Sequence, residues 1–302
     1  MISKPTYTKL LEHLKIPQAN LLGQGMEGLV FDYSEERVLK IWFRGNKHRL
    51  KNRKKLYETV QKQIQVPIPE IYNVAQFGDL TYTIEKKIMG QPGHLAYAAS
   101  SNEIQKKLLD NYFDLLQELK SVSINGQYGQ LVADSHEKIQ TTTWNEYIKK
   151  KLQKTLKKAT RKPDHNIKNL DQLFDKFFKE EWPRINKNVA KNLVHGDLFL
   201  ENIMVNQQGQ VTGLLDFGSL SLIGDHLIDV AALTYTVTIS DEVDETAETY
   251  LLKKTKQKYS NKLKLIKVYT LFYCLFFINS LTYDPRTYAW CIKNLQRFGY
   301  LN

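Results

Sequence analysis

The sequence predicts an α+β fold, with strands concentrated in residues 1–92 and helices filling most of residues 93–302. Three observations carry this. A glycine-rich run, Leu21–Val30, leads into two short β-branched and aromatic segments separated by a polar turn. Beyond residue 93 apolar residues recur at helical spacing, as in Glu103–Val122, where Ile104, Leu108, Tyr112, Leu115, Leu116 and Leu119 define one face. One hairpin, between residues 202 and 215, interrupts the helical part. A chain of 302 residues is long enough for about two domains or one large two-lobed unit.

Residues 5–18 read as a short amphipathic helix with Leu10, Leu11 and Leu14 on one side, ended by Pro17. Gly23, Gly25, Gly28 and Val30 then form G-x-G-x-x-G-x-V. A dinucleotide fingerprint of this kind would open a helix. Here strand-type sequence follows instead, Leu29–Tyr33 and Val38–Trp42 around a polar turn. That is the arrangement of a glycine-rich loop laid over nucleotide phosphates, where missing Cβ atoms let the backbone approach. Lys40, on the second strand, suits contact with the α- and β-phosphates, and such a lysine needs an acidic partner on the next helix. Between Lys40 and Glu70 the only acid is Glu58, inside the basic segment HRLKNRKKLYETVQKQI. Glu58 is therefore the expected partner, its alternative being an exposed charge among lysines. Val66–Glu70 reads as a rigid proline-bearing connector, and Ile71–Phe77 with Leu80–Ile88 as a strand pair around Gly78-Asp79.

In the second part, Asn125–Leu131 reads as a loop, Thr143–Leu156 as a helix with Trp144 and Ile148 inward, and Leu170–Trp182 as a helix stopped by Pro183. Residues 241–258 form an acidic-then-basic helix, and the apolar run Val268–Ile278 a buried one. The last is too short for a membrane span of about 20 residues.

The hairpin carries the chemistry. Its strands, Asn202–Asn206 and Val211–Leu215, flank a polar turn at 207–210. A hairpin brings its ends together, so His195-Gly196-Asp197, Asn202 and Asp216-Phe217-Gly218 converge. The pattern H-x-D-x-x-x-x-N followed by D-F-G fits phosphoryl transfer. Asp197 suits orientation of an attacking hydroxyl and acceptance of its proton. Asn202 and Asp216 suit Mg²⁺ held on nucleotide phosphates. The bland alternative is a set of turns, which Asp and Asn favour anyway. With Asp197 in the role of base, His195 reads as structural.

With these residues in view, the segment HGDLFLENIMVNQQGQVTGLLDFGSLSLIGDHLID (His195–Asp229) resembles the aminoglycoside phosphotransferase family, antibiotic and small-molecule kinases. The resemblance extends more weakly over nearly the whole chain. It implies a bilobal protein-kinase-like fold and transfer of the γ-phosphoryl group of ATP or GTP to a hydroxyl of a small molecule. The acceptor would be an aminoglycoside-type antibiotic, or a metabolite in a kinase of choline or homoserine type. A nucleotide-binding pseudokinase is the rival from another class. The resemblance also implies adenine binding by backbone atoms of roughly Glu85–Met89 before a hinge at 90–93, an N-lobe at 1–92 and a C-lobe at 93–302 on either side of it, and a buttressing role for Asp229 under the catalytic loop. Two positions depart from the family: His226 stands where Pro is usual, and an ungapped comparison puts Asn52 at the usual glutamate of the lysine's partner helix. A protein substrate is disfavoured by the short stretch after Asp216-Phe217-Gly218, by the lack of A-P-E, and by Phe199 where a basic residue is usual.

Net charge is +11, with basic clusters at Lys40–Lys55, Lys149–Lys162 and Lys253–Lys267. No zinc-finger or aromatic-interleaved RNA motif accompanies them, so solvated helix faces are expected and no nucleic-acid partner. The N-terminus has no apolar signal core, and Cys274 and Cys291 lie in apolar sequence without metal spacing. A cytoplasmic enzyme with reduced thiols and no membrane partner is expected. Against the positive charge stands SDEVDETAETY (Ser240–Tyr250). In a helix Asp241, Asp244, Glu245 and Glu248 would share one face, an acidic wall for a polycationic acceptor. The alternative is acids complementing a helix dipole.

Overall fold

The computed structural model describes residues 4–133 and 138–301. Helix α1 (Lys4–His13) precedes an antiparallel sheet of β1 (Leu21–Gln24), β2 (Gly28–Ser34), β3 (Arg37–Trp42), β4 (Ile71–Phe77) and β5 (Leu80–Lys86), in the order β1-β2-β3-β5-β4. Side chains alternate across it. Leu29, Phe31, Leu39 and Ile41 face one way and pack with Leu10 and Leu11 of α1. Val30 and Lys40 are register partners and so point the other way, toward the cleft between the lobes. Helix α1 stops earlier than expected: Lys15 adopts φ +60° and Ile16 N–H donates to Leu11 O, so a left-handed turn ends the helix before Pro17.

Helix α2 (Lys47–Gln61) joins β3 to β4 and is capped by Asn46, whose side chain accepts from the His48 and Arg49 amides. Its inner stripe is Leu50, Arg53, Leu56, Tyr57 and Val60. Leu56, Tyr57 and Val60, with Ile64, Val66, Ile68 and Ile71, belong to the large core of the C-terminal region and not to the small core under the sheet.

Past Lys86 the chain leaves the first sheet, and β6 (Gln91–Pro92) pairs with the hairpin that follows residue 202. Helices α3 (Gly93–Ala98) and α4 (Asn102–Ser121) follow, then β7 (Tyr128–Gln130), β8 (Gln140–Thr141), α5 (Trp144–Arg161), α6 (Leu170–Glu180) and β9 (Asn192–Val194). The hairpin is β10 (Ile203–Val205) and β11 (Val211–Leu214), and β12 (Leu222–Gly224) leads to α7 (Leu227–Tyr235). Helices α8 (Glu245–Lys258), α9 (Leu263–Phe277) and α10 (Pro285–Arg297) complete the fold. Two small sheets, β11-β10-β6 and β8-β7-β12-β9, bracket the loop between β9 and β10. Helix α9 is the apolar run foreseen as buried: Tyr269, Leu271, Cys274 and Leu275 are fully enclosed. Cys274 and Cys291 are buried free thiols. No described helix is long and apolar enough to cross a membrane.

Candidate active site

The loop from His195 to Asn202 is fixed from below before any ligand is considered. Asp229, in the first turn of α7 and 1% exposed, accepts from the amides of His195 (2.8 Å) and Gly196 (2.9 Å). Tyr273 donates its hydroxyl to Gly196 O (3.0 Å) and Tyr112 to Leu198 O (2.6 Å). Gly196 has φ +79°, and a Cβ there would lie 2.1 Å from Leu220 O, so only glycine fits. His195 is wholly buried. Its Nδ1 accepts from the Asp197 amide (3.2 Å), which leaves the Nε2 proton to be donated to Leu215 O (2.8 Å). Burial lowers its pKa to about 4, so it stays neutral. His195 thus ties the loop to the end of the hairpin and has no free nitrogen for proton transfer.

On this support Asp197, Asn202 and Asp216 reach one cavity of about 560 Å³, together with Gly25, Gly28, Val30 and Lys40. Gly23, on the exposed strand β1, does not line it. Asp197 is half-buried. Burial, and then the nearby charge of Asp216, raise its pKa to about 7. The Asn202 amide NH₂ donates to Asp197 O (2.8 Å), so its own oxygen is left for another ligand. Asp216 adopts φ +60° at the end of the hairpin. Its side chain is 40% exposed, and Oδ1 lies 2.7 Å from Lys40 Nζ and 3.9 Å from Arg53 Nη1. Burial alone would raise its pKa, but Lys40 and then Arg53 hold it at about 2. Two carboxylates in one cleft are thereby separated, one ionised at neutral pH and one poised near it. One carboxylate and one amide oxygen are the hard donors that Mg²⁺ takes when phosphates and water complete its shell.

The partner of Lys40 differs from expectation. Glu58 is exposed, and the Asn52 amide lies 3.5 Å from Nδ1 of His48 on its own helix. Neither meets Lys40, whose ion pair is with Asp216. The α2 side chain that lies beside Asp216 is Arg53, 0% exposed and 4.5 Å over the Trp42 ring, which Lys40 also approaches (4.4 Å). The sequence held a signal for it. Position 53 is three after Leu50 and four before Tyr57, on the apolar stripe of α2, with Arg49 one turn earlier on the same side.

The acidic segment is also rearranged. Helix α8 begins at Glu245, so Asp241 precedes it and shares no helical face with the others. Asp244 is the cap, accepting from the amides of Thr246 (3.0 Å) and Ala247 (3.3 Å) and from the Tyr97 hydroxyl (3.2 Å). Glu245 pairs with Lys293 (2.7 Å), and the buried Glu248 with Arg297. None of these acids lines the cavity; capping and pairing account for three of them. The cavity is instead lined by Phe199, Glu201, Phe277, Tyr283, Asp284 and Arg286 besides the residues named above. These residues carry no spacing motif, and only the packing of α9 and α10 brings them together.

The glycines of the loop separate into two kinds. A Cβ on Gly28 would lie 2.2 Å from the backbone oxygen of Ile41, whereas one on Gly25 meets nothing within 4 Å. Gly28→Ala is therefore expected to lower stability by about 1–3 kcal/mol, since β3 backbone must move. Gly25→Ala is expected to leave thermal stability unchanged, and equal melting of the two variants would contradict the assignment.

A family model described as the phosphotransferase enzyme family matches residues 20–259. No curated protein matches the chain in sequence. Among solved structures, the gentamicin complex of APH(2″)-IIa is 19% identical with a TM-score of 0.66, over 98% of this chain and 97% of that one. The aminoglycoside phosphotransferase APH(3″)-Id from Streptomyces rimosus, with ADP and streptomycin, is 14% identical with a TM-score of 0.61, over 91% and 99%. Macrolide 2′-phosphotransferase type I is 14% identical with a TM-score of 0.59, over 97% of each. At these identities the likeness is one of fold, and that fold is kinase-like.

Proposed function

Because the chain belongs to the phosphotransferase enzyme family, we propose that it moves the γ-phosphoryl group of ATP or GTP to a hydroxyl of a small molecule. The observation that carries this reading is the single cavity in which Asp197, Asn202, Asp216 and Lys40 meet the glycine-rich loop. Asp197 orients the acceptor hydroxyl and takes its proton. Asn202 and Asp216 would hold Mg²⁺, which neutralises charge on the transferring group when bound. Lys40 and the backbone around Gly25 and Gly28 receive the phosphates, and the chain between Glu85 and Met89 receives the base.

For the acceptor, an amine-bearing alcohol of aminoglycoside type is the first candidate. Solved proteins of this fold hold gentamicin and streptomycin. In this chain support comes from Glu201 and Asp284, which line the cavity, and not from the acids around α8. The aromatic wall of Phe199, Phe277 and Tyr283 supports a neutral metabolite alcohol as the second candidate. The test is a phosphotransfer screen of aminoglycosides, macrolides and neutral hydroxy metabolites with MgATP and MgGTP, with Asp197→Asn as control. Acceptor-dependent product with an aminoglycoside, weakened by salt and by Glu201→Gln/Asp284→Asn, is expected. Nucleotide binding without transfer to any acceptor would replace this reading with a pseudokinase.

A further inference from the structure

We propose that Glu27 and Arg53 form a latch that holds the glycine-rich loop in its phosphate-receiving position, with Arg53 as a positioning residue linking that loop to Asp216. The inference rests on the nucleotide reading of the same site.

The loop has little else to hold it. All four residues of β1 are exposed, Met26 is 68% exposed, and a Cβ on Gly23 or Gly25 would touch nothing. Backbone bonds of Gly25 N–H to Gly28 O (3.0 Å) and Phe43 N–H to Glu27 O (2.9 Å) shape the turn, but they do not tie its tip to the rest of the cleft. The Glu27 side chain does. Its Oε2 accepts from Arg53 Nη2 at 2.7 Å, and its Oε1 from Arg49 Nη2 at 3.5 Å.

Arg53 is built to receive that carboxylate. It is fully enclosed, lies over the Trp42 ring, and approaches Gly218 so closely that a Cβ there would stand 2.8 Å from Nη2. Its Nε and Nη1 have no hydrogen-bond partner, so its direct hydrogen bonding rests on Glu27. A buried guanidinium without a counter-charge is costly, which draws Glu27 down strongly. The planar fork also lets one residue face Glu27 and Asp216 together, which a lysine would not do. A loop ordered in advance need not be ordered by its ligand, and apparent affinity scales with the fraction of molecules already competent. The latch therefore acts on nucleotide affinity although Arg53, unlike Glu27, does not line the cavity.

The test compares the full chain with its Glu27→Gln variant, below the melting range of both. MgATP and MgGTP are titrated calorimetrically, and amide exchange is followed through residues 21–30. Wild type is expected to bind at least one nucleotide, and Glu27→Gln to bind it about tenfold more weakly or worse. Exchange should accelerate at residues 23–28 and not in α4 or α9. A purely structural ion pair would change melting but neither of these. Unchanged or tighter binding by Glu27→Gln, or unchanged exchange at residues 23–28, overturns the latch. Failure of wild type to bind either nucleotide overturns the kinase reading itself, a separate result. If Arg53→Lys folds, Glu27→Gln should cost little further affinity in that background, and full additivity would again overturn the coupling. If it does not fold, the Glu27 comparison decides alone.

Discussion

Asp197→Asn is expected to lower phosphotransfer by at least about 10²-fold while MgATP or MgGTP still binds, because the role proposed for the lost group is that of a base and not of a phosphate ligand. Asparagine keeps the size of the side chain and leaves intact the backbone bonds that Tyr112, Tyr273 and Asp229 make with the loop. The pH profile follows from the same carboxyl. With a pKa raised to about 7, Asp197 is increasingly protonated below neutrality, so kcat/KM should fall toward acid with an apparent pKa of about 7 or lower. Bound Mg²⁺ favours the anion and moves the value down. Stability should move in the opposite sense from activity. The folded pKa of Asp197 lies above its ordinary 3.8, so the folded state is progressively penalised as pH rises from about 4 through about 7. At about pH 8 the Asn variant should therefore melt higher than wild type, and the two should converge near pH 4. Wild-type turnover in the variant, or lower melting at pH 8, would contradict the assignment.

Asp216→Asn should do the reverse. Its carboxylate is the counter-charge of Lys40 and lies beside Arg53, and its folded pKa is held at about 2, below the ordinary 3.8. Its contribution is thus present above about pH 4 and lost as pH falls through about 2. At neutral pH the Asn variant should melt lower than wild type, with the difference shrinking in acid. The backbone is not the cause, because asparagine tolerates the left-handed φ of +60° at this position. Metal-dependent nucleotide affinity should drop at least about tenfold, and phosphotransfer by about 10²-fold or more. Calorimetric titration with and without Mg²⁺ separates the two effects. If the affinity gained on adding Mg²⁺ were the same in variant and wild type, Asp216 would not be a metal ligand. One chemical change at two neighbouring carboxylates thus carries opposite signs in stability.

The parts of this site that could be read in the sequence are those whose order along the chain is also their order in space. Asp197, Asn202 and Asp216 flank one hairpin, and Val30 and Lys40 sit across one strand pair, so local pairing alone brings each set together. The strands at 71–77 and 80–86 and the buried helix α9 were legible for the same reason, through period and turn chemistry. What was missed depends on long-range packing. Choosing Glu58 for Lys40 rested on charge type, and burial chose Arg53, because α2 turns position 53 inward and position 58 outward. The four acids near α8 looked like one face because the helix start was placed at Asp241. Asp244 serves as the cap, so the helix starts at Glu245, and the phase of the wall is lost.

The division of the core carries a consequence for how such chains could be recombined. The small core under the sheet is made of Leu10, Leu11, Leu29, Phe31, Leu39, Ile41, Leu80 and Tyr82, whereas residues 56–71 pack into the large one. The two cores therefore do not divide at residue 92. A crossover at residue 92 that imported a foreign N-lobe would also replace Leu56, Tyr57, Val60 and Ile64, removing one wall of the larger core. Sequence could be exchanged more freely within the sheet and α1 than across α2. The sheet and α1 are then the exchangeable unit, and α2 goes with the residues that build the larger core.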